Sequence, residues 1–347
     1  MRIIILGGGF CGSLIAKNLD TKKNIEVVLI DKKEYFEYSP SLWKLLINKE
    51  NYKKYTVPFT QFLRHTRLIT TSTLRVTPHF VETEAEKLTY DYLVISTGIE
   101  YPIYLENTTN VITVKSGVDV VKNNEKITEA KTIVVIGGGL IGTEVAAELV
   151  TKYPEKHILL VHPHNRLLER NKMNVSNFAR RFLESHGISL LMGEKVIDHQ
   201  NNTFITNAKR TIPADIGIWC AGIKSNPWFM KEFPSSVFTK NNALKVNHFL
   251  QLEGYTNIFV GGDITNIMEE KTALNAERHG SLISTNLLRS IKKRRLLVYK
   301  SRILPMIVDL GSTNAMLTYR LFFIPGVIPA VLKLIVEKIL IKRLSFR

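Results

Sequence analysis

The sequence predicts an α/β fold in which one strand–helix–strand arrangement occurs twice, each time with a glycine-rich turn after the first strand. In the first copy, residues 2–6 and 25–30 are runs rich in β-branched apolar residues, and a helical segment at 12–19 lies between them. Such runs are typical of parallel strands that are buried on both faces and joined by a crossover helix.

The second copy has the same layout further along the chain. Its strands are predicted at 133–136 and 158–161, with a helix at 141–152 between them. The copies are far apart and other structure separates them, so they indicate two Rossmann-like domains and not a short tandem repeat. Further strands are predicted within 68–81 and at 92–95, and a further helix at 273–291.

The composition limits the class of protein and its partners. A chain of 347 residues with 45% hydrophobic residues suits a globular protein of two or three domains, and its net charge of +16 favours anionic partners such as cofactors, acidic lipids or nucleic acid. The two cysteines, Cys11 and Cys220, are too few for a disulfide framework or a thiolate metal site and indicate a reducing compartment. We expect no signal peptide, and no apolar run reaches the roughly 18 residues of a membrane span.

Residues 7–12 (GGGFCG) form the first glycine-rich turn and meet each condition for a dinucleotide-binding fingerprint. They follow an apolar strand and open a helix, and Asp31 ends the next strand. Gly7 permits the tight turn, Gly9 allows close approach of a pyrophosphate, and Gly12 allows the helix to pack near the strand. Asp31 is placed to accept hydrogen bonds from a ribose diol. A glycine-rich turn of some other α/β domain is the alternative.

Residues 137–142 (GGGLIG) repeat this fingerprint, but the second strand ends in His162 where an acid is expected. A carboxylate there would repel a 2′-phosphate, so its absence permits NADPH, and His164 and Arg166 offer positive charge. These three residues are also compatible with an ordinary solvated loop.

The order of the motifs resembles the flavoprotein superfamily with two dinucleotide-binding domains. In this sequence the motifs are residues 7–12, 96–98 (STG), 137–142, 219–222 (WCAG) and 260–263 (VGGD). The resemblance implies an FAD domain split by an NAD(P) domain, and it places the Asp263 carboxylate on the FAD ribityl and phosphate region. A simple turn aspartate is the alternative for that residue.

Domain boundaries follow from this resemblance. We expect the FAD domain at 1–108 and 236–295, the NAD(P) domain at 109–235, and a C-terminal membrane-association or dimerisation segment at 296–347.

The cysteines bear on the electron acceptor. A disulfide reductase needs a neighbouring pair of thiols, and Cys11 and Cys220 lie in different motifs, so a dithiol relay is excluded. Sulfide:quinone oxidoreductases use more cysteines and stay a minor alternative. The remaining resemblance is to type II NADH dehydrogenases and to ferroptosis-suppressor and apoptosis-inducing-factor-like quinone reductases. Many type II dehydrogenases have glutamines in the helix after the Gly-Asp motif, where this chain has Leu274 and His279.

Candidate catalytic residues come partly from the same resemblance. Glu144 matches a family glutamate near nicotinamide and flavin, although a solvated glutamate at a helix start is the alternative. Thr272 and Ala273 begin a helix whose N–H groups would face the flavin pyrimidine; the alternative is an ordinary helix start. His279 is a candidate proton donor to the acceptor, and a structural histidine is the alternative.

The complete predicted cofactor sites are as follows. The FAD set is Gly7, Gly9, Phe10, Cys11, Gly12, Asp31, Lys32, Ser96, Thr97, Gly98, Gly262, Asp263, Thr272 and Ala273, and the NAD(P)H set is Gly137, Gly139, Leu140, Ile141, Gly142, Glu144, His162, Ala221 and Gly222.

The C-terminal segment, residues 320–347, is apolar and basic together, with a predicted helix at 330–344. Its cations, Lys333, Lys338, Lys342 and Arg343, do not gather on one helical face. Apolar surface beside cations predicts binding to acidic lipid, with burial against the FAD domain or in a homodimer as the alternative. The expected location is cytoplasmic, on the inner face of the cell membrane.

The function predicted from these observations is FAD-dependent NAD(P)H:quinone oxidation without a redox disulfide. A soluble reductase of a carrier such as ferredoxin is a second enzyme hypothesis, and a redox-sensing or nucleic-acid-binding flavoprotein is a hypothesis of another class. The basic run 292–295 lacks a nucleic-acid module or aromatic platform beside it, so no nucleic-acid partner is expected. The sequence leaves open the quinone and the choice between NADH and NADPH.

Overall fold

Two five-stranded parallel sheets hold the two glycine-rich turns, and smaller antiparallel sheets surround them. The computed structural model describes residues 1–345, without the side chains of residues 344 and 345. The strands in chain order are β1 (Arg2–Leu6), β2 (Glu26–Asp31), β3 (Tyr35–Glu37), β4 (Thr56–Pro58), β5 (Arg67–Thr70), β6 (Thr73–Val76), β7 (Phe80–Thr83), β8 (Lys87–Thr89), β9 (Tyr92–Ile95), β10 (Val111–Thr113), β11 (Thr132–Ile136), β12 (His157–His162), β13 (Ser189–Met192), β14 (Val196–Gln200), β15 (Thr203–Thr206), β16 (Thr211–Pro213), β17 (Ile216–Trp219), β18 (Ile258–Val260), β19 (Met306–Asp309), β20 (Ala315–Tyr319) and β21 (Phe322–Gly326).

Helices cover the sheets and connect their strands. They are α1 (Phe10–Leu19), α2 (Phe59–Phe62), α3 (Gly117–Glu129), α4 (Leu140–Lys152), α5 (Met173–Ser185), α6 (Ala273–Ile291) and α7 (Val327–Ser345), with 3-10 segments at Ser39–Leu46, Lys49–Tyr55, Trp228–Met230 and Ser235–Val237.

The two large sheets have matching strand orders. The first is β18-β9-β1-β2-β5 and the second is β10-β17-β11-β12-β13, so each glycine-rich turn follows the central strand. Alternate residues of β1 point to opposite faces: Ile3 and Ile5 pack in one apolar cluster, and Ile4 and Leu6 in another. Burial on both faces explains why these strands are continuous apolar runs.

The predicted fold class is confirmed. The predicted strands at 2–6 and 92–95 and the helix at 273–291 match the structure, and the strands of the second sheet lie in sequence between β9 and β18 of the first. The residue limits of the four predicted segments stay a prediction.

The polar segment predicted to cross between the domains contains β10 and α3. Strand β10 joins the second sheet through β17. Helix α3 lies against the 3-10 segment Ser39–Leu46, where Asn124 Nδ2 donates to the carbonyl oxygens of Leu45 (3.1 Å) and Leu46 (2.8 Å). The segment therefore contacts both the second sheet, through β10, and the N-terminal part of the chain, through α3.

The C-terminal region forms a three-stranded antiparallel sheet, β19-β20-β21, which leads directly into α7. The predicted helix at 330–344 is thus confirmed and begins slightly earlier, whereas the hairpin before it was not predicted. Across residues 1–345, no helix is both long and apolar enough to cross a bilayer.

Candidate functional site

The first glycine-rich turn has the geometry that close contact with a phosphate requires. Gly7 has φ of +93°, a conformation that favours glycine. A Cβ at Gly12 would lie 1.8 Å from the Gly7 carbonyl oxygen, whereas a Cβ at Gly9 would meet nothing within 4 Å. No side chain caps α1, so its first N–H groups face this open space. The turn therefore forms an anion cradle.

Asp31 fixes this turn from the end of β2. Its carboxylate accepts hydrogen bonds from the backbone N–H groups of Gly8 (2.6 Å) and Lys33 (2.8 Å), while the predicted site residue Lys32 is exposed. Phe10 packs edge-on against Phe36 at a ring distance of 5.0 Å.

The second turn repeats this geometry. Gly137 has φ of +111°, a Cβ at Gly142 would lie 1.8 Å from the Gly137 carbonyl oxygen, and Gly139 faces open space. Leu140 and Ile141 begin α4 and are half-buried. The N-terminal residues Gly9 of α1 and Gly139 of α4 have the same φ and ψ, −73° and −164°.

His162 occupies the position that Asp31 has in the first turn. Its Nδ1 accepts a hydrogen bond from the Gly138 N–H at 3.0 Å, so that nitrogen carries no proton. Burial lowers the pKa of His162, and the charge of nearby Glu169 opposes this effect. The imidazole is therefore neutral near pH 7 and acts here as an acceptor.

The neighbouring strands close each turn from the side. Ser96 Oγ donates to the carbonyl oxygens of Leu6 (2.9 Å) and Gly7 (3.0 Å), so it supports the first turn from within, beside exposed Thr97 and half-buried Gly98. Cys220 is the counterpart in the second turn, because its backbone lies 3.0 Å from a Cβ built at Gly137.

The two thiols are unreactive in their surroundings. Burial raises the pKa of Cys220 to about 12 and raises that of Cys11 further. Cys11 Sγ lies against Gly261 between α1 and α6. Both are free thiols, which agrees with the absence of a dithiol relay.

Asp263 follows β18, and its contact to the FAD ribityl chain stays a prediction. Burial raises its pKa to about 6, and the charge of Lys271 opposes the shift. Its carboxylate makes no hydrogen bond within the described chain, so it is open to a ligand.

Tyr101 is a residue near this site that the sequence did not indicate. Burial and the charges of nearby Asp263 and Cys220 raise the pKa of Tyr101 to about 12, so this residue lies between the FAD half and the NAD(P) half.

Thr272 begins α6 as its cap, since Oγ1 accepts from the Asn275 N–H at 3.3 Å. Ala273 follows at the first helical position and is half-buried. The predicted helix start is therefore present, and its orientation toward the flavin stays a prediction.

One ring nitrogen of His279 is hydrogen-bonded, and the other lies beside a carboxylate. Nδ1 accepts from the Gly262 N–H at 3.0 Å, and Nε2 lies 2.9 Å from Glu269 Oε1. The ring is 2% exposed and packs edge-on against Tyr299. This placement favours positioning of the Gly262 turn over delivery of a proton.

Glu144 is buried on α4 and not solvated as the alternative interpretation supposed. Its Oε1 accepts hydrogen bonds from Lys333 Nζ (2.6 Å) and from the Asp309 N–H (3.1 Å). Lys333 Nζ also lies 3.0 Å from Asp309 Oδ2, which Lys44 Nζ approaches to 3.1 Å. Glu148, one turn further along α4, is 4% exposed. We call Glu144, Glu148, Asp309, Lys44 and Lys333 the buried charge cluster.

Of this cluster, the sequence predicts only Glu144 as a site residue. The available signal was the spacing of four residues between Glu144 and Glu148, which puts both carboxylates on one face of an otherwise apolar helix. The sequence predicts Lys333 as a surface cation; its buried position depends on Glu144 of α4 and on Asp309 of β19, a strand that the sequence did not reveal.

The residues present fit two dinucleotides. Each turn has an open glycine beside an uncapped helix start, and the first half adds the unbonded carboxylate of Asp263.

Comparison with known proteins decides the family. Residues 1–280 match the family described as pyridine nucleotide-disulphide oxidoreductase. The chain belongs to this family. Apoptosis-inducing factor homolog A of Dictyostelium discoideum is 30% identical over 345 residues, covering 89% of this chain and 82% of that protein. Ferroptosis suppressor protein 1 of Taeniopygia guttata is 30% identical over 332 residues, covering 90% and 87%.

A solved structure shows the same fold. NDH2 from Plasmodium falciparum in complex with NADH gives a TM-score of 0.89 at 19% identity, and the match covers 98% of this chain and 94% of that one. The family, fold class and cofactors predicted from the sequence are confirmed: the chain is an FAD-dependent NAD(P)H oxidoreductase.

Proposed function

We propose that this oxidoreductase passes electrons from NAD(P)H through FAD to a quinone at a membrane surface. The observation that carries the proposal is the orientation of α7: Lys333 and Glu337 face the protein, while most of the apolar side chains of the helix face outward. Lys333 is buried and Glu337 is half-buried, with Ser41 Oγ donating to Glu337 Oε2 at 2.5 Å.

The outward surface of α7 is apolar and continuous with the hairpin before it. Its exposed apolar residues are Leu321, Phe322 and Ile324 in the hairpin and Val327, Ile328, Val331, Leu332, Leu334, Ile335, Val336 and Ile339 in the helix. We call these residues the apolar face. A face of this kind marks contact with a membrane or a partner. Exposed Lys338 and Arg343 near its end favour acidic lipid.

This arrangement explains why the cations of α7 do not lie on one face of the helix. Lys333 is held inside by the buried charge cluster, so only the later cations remain at the surface. Quinones with long apolar tails reside in the bilayer, and α7 lies between that phase and Glu144 on the second fingerprint helix. The apolar face would thus bring the bilayer that holds the quinone close to α4, the helix of the second glycine-rich turn.

The buried charge cluster is suited to hold protons. Quinone reduction consumes two protons, and burial raises the pKa of Glu148 to about 7, with Lys44 opposing this shift. Glu148 Oε2 has no hydrogen-bond partner among the described residues. Near neutral pH the Glu148 carboxyl therefore binds and releases a proton, as a general acid must. Lys333 keeps its charge, because Glu144 and Asp309 outweigh the effect of burial and raise its pKa.

The other residues bind and orient. FAD, when bound, supplies the two-electron chemistry between nicotinamide and acceptor. The turns of Gly7 and Gly137 hold the two pyrophosphates, Asp31 and Asp263 position hydroxyl groups, and His279 fixes the Gly262 turn.

Activity is tested by oxidation of NADH or NADPH by the FAD-loaded protein with a short-chain quinone. We expect nucleotide oxidation that depends on quinone. Full FAD occupancy without quinone-dependent oxidation, but with rapid reduction of an iron–sulfur carrier, would favour the alternative of a protein-carrier reductase.

Membrane binding is tested by flotation with liposomes containing acidic lipid. Ile335→Glu places a charge on the apolar face, and we expect it to weaken flotation at least tenfold. Ile197→Glu on β14 is the matched control, because Ile197 and Ile335 are 50% and 48% exposed. Equal flotation of both variants would contradict the proposal, and a dimer that Ile335→Glu dissociates would assign the apolar face to a second copy.

Point substitutions are better than deletion of residues 320–347. Deletion removes Lys333, the cation that pairs with Glu144 and is shared by Asp309, so loss of folding would be confused with loss of membrane binding.

A further inference from the structure

A carboxylate does stand beside the second turn, although the sequence shows histidine where the acid is expected. Glu169 Oε2 lies 3.3 Å from His162 Nε2. Because His162 Nδ1 accepts the Gly138 N–H, the ring's single proton is on Nε2 and points toward this carboxylate. His162 thus links the glycine turn to Glu169.

The loop after β12 brings Glu169 to this place. Leu168 adopts a left-handed φ of +50°, and its N–H donates to the Gly138 carbonyl oxygen at 2.9 Å. Leu167 packs over Gly138, with its Cδ2 2.6 Å from a Cβ built there. The loop therefore folds back over the glycine turn, and Glu169 follows at its edge with 32% of its side chain exposed.

The two arginines of this loop have protein partners. The Arg166 guanidinium donates to the carbonyl oxygens of Asn171 (3.0 Å) and Glu169. Arg170 Nη1 lies 3.9 Å from Glu270 Oε2. His164 is exposed beside His162. Glu169 is the charged side chain that pairs with His162.

We propose that Glu169 is a specificity-determining residue that makes the second turn select NADH over NADPH. Its carboxylate takes the place of the missing strand-end acid, one imidazole further out. It accepts hydrogen bonds from the adenosine ribose hydroxyls and repels a 2′-phosphate. His162 positions it. This inference concerns the nicotinamide site alone and is independent of the acceptor proposed above.

The experiment measures dissociation constants of NAD⁺ and NADP⁺ for the FAD-loaded protein by calorimetry, together with KM for NADH and NADPH. We expect the wild type to bind NAD⁺ at least tenfold more tightly than NADP⁺. Glu169→Gln should reduce this ratio about tenfold, because it removes one charge close to the phosphate position. Glu155→Gln is the matched control, since Glu155 is exposed in the turn before β12 at the other end of that strand. It should leave the ratio unchanged.

A rescue variant separates charge from general disruption. In the Glu169→Gln background, His162→Asp restores an acid at the strand end, where Asp31 stands in the first turn. We expect the double variant to regain NAD⁺ preference. Equal binding of NAD⁺ and NADP⁺ by the wild type, an unchanged ratio in Glu169→Gln, or a double variant without regained preference would overturn the proposal. A wild-type protein that prefers NAD⁺ but does not reduce quinone would affect only the acceptor proposal.

Discussion

The two dinucleotide turns have nearly the same backbone and differ in the side chains that serve them. In both, a strand-end side chain accepts the N–H of the second glycine: Asp31 from Gly8 at 2.6 Å, His162 from Gly138 at 3.0 Å. The first acceptor is an anion and the second is a neutral ring. An aspartate and a histidine can therefore both accept this N–H group. In the second turn, the negative charge that faces the ribose then has to come from another residue.

The helices after the turns differ in the same way. On α4, Glu144 and Glu148 are buried against the C-terminal region, whereas the corresponding positions of α1 are Leu14 and Asn18. Helix α1 instead packs on α6, where a Cβ at Gly280 would lie 2.8 Å from the Cys11 carbonyl oxygen. The second turn is thus joined to α7 through buried carboxylates, whereas α1 meets α7 through Lys17, whose Nζ donates to the Arg343 carbonyl oxygen.

The largest expected effect comes from substituting the last glycine of each turn, which should abolish binding of one cofactor and leave the other bound. Gly12→Ala and Gly142→Ala each place a Cβ 1.8 Å from a carbonyl oxygen of the preceding turn. We expect Gly12→Ala to abolish FAD retention, measured by flavin absorbance. Gly142→Ala should retain FAD and lose nicotinamide binding, measured by calorimetry. Loss of FAD in both variants would contradict independent turns.

The next largest effect tests the link between α4 and α7. Lys333→Met removes the cation paired with Glu144 and leaves Asp309 with Lys44, and breaking such a buried pair costs about 3–5 kcal/mol. We expect this loss in the free energy of unfolding by urea. Lys338→Met on the exposed side of α7 is the control and should change it by less than about 0.5 kcal/mol. Equal effects would show that the buried charge cluster adds no stability.

Asp31 provides a smaller and more local test. Asp31→Ala removes the acceptor of two backbone N–H groups and a ribose partner, so we expect FAD binding to weaken by about 2 kcal/mol. His162→Ala should leave the flavin content unchanged. Equal FAD retention in wild type and Asp31→Ala would mean that Asp31 only shapes the turn.

The smallest effect is a dependence of stability on pH that belongs to α4 alone. Burial raises the pKa of Glu148 from 4.5 to about 7. Between these values the folded protein binds a proton that the unfolded chain has released, so stability falls as pH rises and levels off above about pH 7. Glu148→Gln should remove about 1 kcal/mol of the decrease between pH 6 and 8. A wild-type slope retained in Glu148→Gln would assign the titration to another group.

The sequence predicts the parts of the fold that depend on local pattern. Strand β1, helix α6 and both glycine turns follow from apolar runs and glycine spacing, and the structure has them where expected. The inward direction of Lys333 depends on Asp309, which is brought near by the unpredicted hairpin sheet. Likewise, the place of Glu169 depends on Leu168 in a left-handed conformation. Such contacts are set by tertiary packing and leave no periodic signal.

The most direct test is an anaerobic titration of the FAD-loaded protein with NADH, followed by quinone, with flavin absorbance recorded. We predict that one equivalent of NADH bleaches the flavin and that quinone restores its absorbance, faster on acidic liposomes. A flavin that NADH leaves oxidised, or that is bleached and then unaffected by quinone, would contradict the proposed function.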